Sequence, residues 1–129
     1  MTKYSAARLS STAAVGLLLA SAVLQVGYYG SVTAHVTDDF QPVVSAIWLA
    51  CAINLVLVAA VVLAVRSLEA AQARLVLVIT GLNPLSIAVL QIVYDAPWPP
   101  PVALLLAGLA TFLAARFGGA KPLDSEPAK

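Results

Sequence analysis

Charge is scarce in this 129-residue chain, which carries seven Lys and Arg and six Asp and Glu and leaves long stretches with none of them. Water-soluble domains are about a quarter charged, whereas here 10% of residues are charged and 61% are hydrophobic. With a mean hydropathy of +0.95, an ordinary soluble fold is excluded and lipid becomes the expected solvent. Cysteine is limited to Cys51. That excludes an intrachain disulfide and a Cys-based zinc cluster, and its apolar neighbours mark it as a small core residue. No Gly-rich phosphate loop occurs, and no nucleophile has a base within sequence reach, so the familiar catalytic signatures are missing. A net charge of +1, without basic runs that interleave with aromatics, excludes nucleic acid as a partner.

What the chain does contain is apolar length. Leu9–Gly30, Pro42–Val65, Leu75–Tyr94 and Pro100–Ala115 hold no Lys, Arg, Asp or Glu. About 20 apolar residues cross a hydrocarbon layer of roughly 30 Å, and open strands cannot satisfy their backbone in lipid. The expected fold is therefore an all-α integral membrane protein, a four-transmembrane-helix bundle. Arg116 extends the shortest segment by snorkelling its charge to the interface. The domain reading is one membrane domain over residues 1–117. A disordered cytoplasmic tail is expected over 118–129, where Gly-Gly, two prolines and mixed charge discourage packing.

Lys and Arg stay on the cytoplasmic side during insertion. Lys3, Arg8, Arg66, Arg74, Arg116, Lys121 and Lys129 all fall on one side of the four segments, while the other two loops carry Asp38, Asp39 and Asp95. Both termini are expected in the cytoplasm, and the Ala- and Val-rich composition suggests a bacterial inner membrane. Tyr28, Tyr29, Phe40, Trp48, Tyr94 and Trp98 gather near the outer level as an expected interfacial belt. Lys3 and Arg8 followed by an apolar run and Ala20-Ser21-Ala22 also resemble a cleavable signal peptide. The apolar stretch continues to Gly30, long enough to remain as a helix.

Polar side chains inside lipid are costly, so any function should show there. Asn54 and Asn83 sit near the middle of the second and third segments and are expected to hydrogen-bond. Pro84 removes a donor from the carbonyl of Thr80 and is expected to kink its helix. Thr80, Asn83, Ile87 and Gln91 form one stripe, and Ser21, Gln25 and Tyr28 another. Ala46, Ala50 and Asn54 mark a narrow face expected to meet them. On this reading the stripes line an outward-facing groove built from Ser21, Gln25, Tyr28, Asn54, Asn83, Gln91, Tyr94 and Trp98. Ala103, Ala107, Thr111 and Ala115 form a small-residue seam for packing within the bundle or against a second copy. His35, Asp38 and Asp39 are the weak candidates for a metal or acid-base site, because imidazole and two carboxylates share a short loop.

Size and four-span layout are similar to those of small multidrug-resistance transporters, whose first helix bears a membrane-embedded Glu. Here the matching region holds Ser21 and Gln25 instead, so proton-coupled exchange is not carried over. The layout also resembles DoxX-like proteins and other small four-helix membrane families, in architecture alone. The leading expectation is a non-enzymatic membrane protein, without cofactor, that binds a small apolar or amphipathic ligand or a partner helix. A transporter or channel acting as a homo-oligomer, or an accessory subunit with a partner membrane protein, are the alternatives. Membrane lipid surrounds it on every reading.

Overall fold

The computed structural model describes residues 3–94 and 96–117, with side chains from residue 6 onward. It is all-helical, with no strand among the described residues. Helix α1 spans Lys3–Gly27, α2 Tyr29–Thr33, α3 Gln41–Ala64, α4 Ala70–Val93 and α5 Pro99–Phe117, with a 3-10 turn at Val65–Ser67. Four of these, all but α2, are long and apolar enough to cross a membrane. The expected tail over 118–129 and the acidic residue Asp95 lie outside the described residues.

Boundaries read from charge miss the helix ends in understandable ways. The loop expected from Ser31 to Gln41 begins later, because the chain breaks only at Tyr28 (φ −89°, ψ 0°) and then re-forms one short helix. Thr33 Oγ1 donates to the carbonyl of Tyr29 at 3.0 Å, and Tyr29 Oη donates to Ser45 Oγ at 3.0 Å, pinning α2 to α3. Helix α4 starts five residues before Leu75, since Ala70, Ala71 and Ala73 are strong helix formers and exposed Arg74 does not interrupt them. A charge marks the edge of hydrocarbon and does not end a helix. Proline opens α5 at Pro99, where a missing N–H is harmless, and Pro100 and Pro101 are buried.

The long helices form a ring with one loose seam. α1 packs along both α3 and α5, and α5 along both α1 and α4, whereas α3 and α4 meet only sparsely although they are consecutive. α5 therefore has the larger share of its surface inside the bundle. Small residues make this possible: Ala107, Thr111 and Ala115 are buried, and Gly108 lies so close to α4 that an added Cβ would stand 2.6 Å from Leu85 Cγ. The small-residue seam thus packs inside the bundle. Ala14, Leu18, Leu55, Val62, Leu77, Ala88 and Leu104 complete one continuous apolar core. Arg66 donates to Ser11 Oγ at 3.2 Å and Thr12 Oγ1 at 3.0 Å, tying the end of α3 to α1.

Candidate functional site

The site begins at mid-helix. Asn54 Nδ2 donates to Asn83 Oδ1 at 2.8 Å, so the two carboxamides expected to pair do so across the sparse seam. In lipid such a bond contributes about 0.6 to 2 kcal/mol. Between this bridge and the end carrying Asp38 and Asp39, α3 and α4 stand apart and leave a groove of about 880 Å³. That size lies within the roughly 300–1,000 Å³ of small-molecule sites.

Helix α3 lines the groove with Val44, Ile47, Trp48 and Cys51, and α4 with Ile87, Leu90, Gln91 and Tyr94. Ser31, Val32, His35 and Val36 close the mouth on one side, and Ala96 and Pro97 on the other. Among the described residues no Lys, Arg, Asp or Glu contributes to this wall. Gln91 is only 7% exposed, and its Oε1 has no hydrogen-bond partner among the described residues. A buried carbonyl oxygen left unpaired costs about 1–3 kcal/mol.

Of the residues expected to line the groove, Gln91 and Tyr94 do so, whereas Asn54 and Asn83 do not line it and instead pair with each other about one helical turn below Cys51 and Ile87. Ser21 and Gln25 do not. Both are fully buried between α1 and its neighbours, with Ser21 Oγ donating to the carbonyl of Leu17 at 2.7 Å. Tyr28 is half-buried at the helix break, and Trp98 is exposed beyond the mouth. The expected meeting of faces also fails, because Ala46 and Ala50 are exposed. α3 instead presents Trp48, Ala52, Leu55 and Ala59 inward, the bulkier stripe that fills more space against α1.

Trp48 departs from the interfacial belt as well. It is 8% exposed, and its Nε1 donates to the backbone carbonyl of Gln25. An indole needs a partner when buried, and the end of α1 supplies one. Gln25 itself keeps both Oε1 and Nε2 without partners among the described residues.

The three metal candidates are not gathered into a site. His35 Nδ1 donates to the carbonyl of Ser31 at 2.9 Å, with the ring exposed at the groove mouth. Asp38 and Asp39 are exposed in the following turn, and among the described residues no three His, Cys, Asp or Glu side chains could hold a metal ion. The helical turn that would have put all three on one face ends at Thr33.

Val44, Ile47, Cys51, Ile87 and Leu90 escape a search for polar residues, yet a signal for them exists. Counting back from Asn54 in steps of three and four gives Cys51, Ile47 and Val44, and forward from Asn83 gives Ile87, Leu90 or Gln91, and Tyr94. Any pair that bridges two helices assigns the rest of both stripes to the same seam. By architecture, then, the chain is an all-helical protein with four helices suited to a multi-pass membrane protein. No protein-family model matches the chain, and comparison with curated proteins and with solved structures gives no match either.

Proposed function

We propose that this chain is a non-enzymatic, multi-pass protein of a bacterial inner membrane that holds a small apolar or amphipathic molecule in the groove between α3 and α4. Both termini lie in the cytoplasm, since Arg8, Arg66, Arg74 and Arg116 stand at one end of the bundle and Asp38 and Asp39 at the other. The groove then opens toward the outer leaflet. The observation that carries this reading is the groove itself, about 880 Å³ of largely apolar-walled space.

A small molecule fits better than a partner helix. The Asn54–Asn83 hydrogen bond joins α3 to α4 below the deepest lining residues, Cys51 and Ile87, so the space ends near mid-helix, whereas a transmembrane partner would run the full thickness. The same bridge favours retention over passage, and among the described residues the groove wall has no charged side chain of the kind that marks ion and proton pathways. Native mass spectrometry of the full chain released from mild detergent tests the reading. A monomer carrying a discrete small adduct is expected. Bare protein under every gentle release condition would remove the ligand-binding reading.

A further inference from the structure

A second polar cluster lies at the end of the bundle opposite the groove. We infer that Arg8, Thr12 and Arg66 hold the phosphate of an anionic phospholipid, phosphatidylglycerol being the chemical type, with an acyl chain laid along the outer face of α1. The site is separate from the groove and rests, of the reading above, only on the placement of the chain in a membrane.

The cluster is built around a guanidinium that is fixed in position. Arg66 stands in the 3-10 turn after α3, and its Nη2 donates to Ser11 Oγ at 3.2 Å and to Thr12 Oγ1 at 3.0 Å on α1. Both acceptors are neutral hydroxyls, so these bonds orient the charge without neutralising it. Among the described residues, exposed Glu69 of the same connection takes no hydrogen bond from it. The donors on Nη1 and Nε remain. Ser11 directs its own hydrogen to the carbonyl of Arg8 at 3.1 Å. Thr12 Oγ1 accepts from Arg66, which leaves the hydroxyl hydrogen to donate. Arg8 precedes Thr12 by four residues and therefore shares its helix face, one turn nearer the end. Arg8, Thr12 and Arg66 are all exposed.

Two guanidinium groups and a hydroxyl donor within about one helical turn suit a phosphate, whose several oxygens take charge-assisted hydrogen bonds from arginine. That the phosphate belongs to a lipid follows from the same face of α1. The steps of four that join Arg8 to Thr12 continue to Gly16 and Ala20, both exposed, and a Cβ added at Gly16 would meet nothing within 4 Å. From Thr12 to Ala20 this smooth strip runs about 12 Å at 1.5 Å per residue, most of the roughly 15 Å depth of one leaflet's hydrocarbon. A choline or ethanolamine head would set its own cation against both arginines, whereas a glycerol head brings none.

Native mass spectrometry of the full-length protein in mild detergent, titrated with dioleoylphosphatidylglycerol and dioleoylphosphatidylcholine at equal concentration, tests the site. The first bound lipid should favour phosphatidylglycerol by about fivefold for each of the two arginines, and later lipids should show no preference. Arg66→Gln and Arg8→Gln should each remove about one such factor. Arg74→Gln takes the same charge from an exposed position on α4 and should leave the preference unchanged. Thr12→Val keeps every charge and should weaken phosphatidylglycerol binding about two- to tenfold, the range one hydrogen bond supplies. Equal uptake of the two lipids by the unaltered chain, a comparison that needs no variant to fold, would overturn the proposal. Equal losses from Arg66→Gln and Arg74→Gln would overturn it as well, by reducing the preference to net charge. Competition by glycerophosphoglycerol, the same head without chains, at the lipid's own concentration would assign the site to a free anion and overturn the role of the strip. Cys51→Phe obstructs the groove and should leave the preference intact. A preference lost in that variant would put the lipid in the groove and remove this site, while a preference kept as a groove adduct disappears separates the two.

Discussion

Two seams of this bundle join consecutive helices, and they are built on opposite plans. Between α4 and α5 the backbones approach closely: Gly81 would place a Cβ 3.4 Å from Thr111 Cβ, Gly108 sits under Leu85, and Pro84 is buried alongside. Between α3 and α4 one carboxamide bond spans a seam that is otherwise sparse, and a groove opens above it. Where lipid and side chain are equally apolar, no hydrophobic force pushes helices together, and packing quality decides whether they touch. Small residues allow contact on one seam. Ile47, Ile87 and Leu90 line the space left open at the other.

Adding bulk to the tight seam should have the largest effect. Gly108→Ala places its methyl 2.6 Å from Leu85 Cγ, and overpacking of this kind costs about 1–3 kcal/mol. Thermal unfolding in detergent should show the loss, and Leu85→Ala in the same chain should recover part of it. No recovery would mean that the strain lies against backbone and not against Leu85. The loose seam is broken differently. Asn54→Leu and Asn83→Leu, combined in a double-mutant cycle, should give a coupling of about 0.6 to 2 kcal/mol. Ligand retention should fall with either change, because the bond that fixes α3 against α4 below Cys51 and Ile87 is lost. A coupling near zero would detach the bridge from the stability of the seam.

A smaller effect is expected at Trp48, which belongs to both neighbourhoods. Trp48→Phe removes its bond to the Gln25 carbonyl and should cost about 1 kcal/mol, measured as a shift in the unfolding midpoint. The smallest change should come from Cys51→Phe. It adds bulk as Gly108→Ala does, but into open groove, so stability should move by no more than about 0.5 kcal/mol while the adduct in the native mass spectrum disappears. If Cys51→Phe destabilises as strongly as Gly108→Ala, the two seams are equally packed and the contrast between them fails.

Much of this was legible one helix at a time. The number of long helices, the buried seam of Ala107, Thr111 and Ala115, and the pairing of Asn54 with Asn83 follow from apolar length, residue size and matching depth. The interior positions of Trp48, Ser21 and Gln25 were not legible. α3 is apolar on every side, so its sequence has no polar face to show which way it turns, and an aromatic residue near a helix end reads as an interfacial anchor until a neighbour claims it. The groove wall was legible only in principle, through helical steps away from the asparagine pair.

By itself the sequence determined that the chain is helical and apolar over four long segments, because backbone hydrogen bonds and apolar length are properties of each segment alone. Only the tertiary structure decided that α5 takes the crowded place between α1 and α4, that α3 and α4 stay apart above their bridge, and that Gln91 lines the resulting space. Those outcomes depend on how closely two surfaces can approach, which no single helix contains.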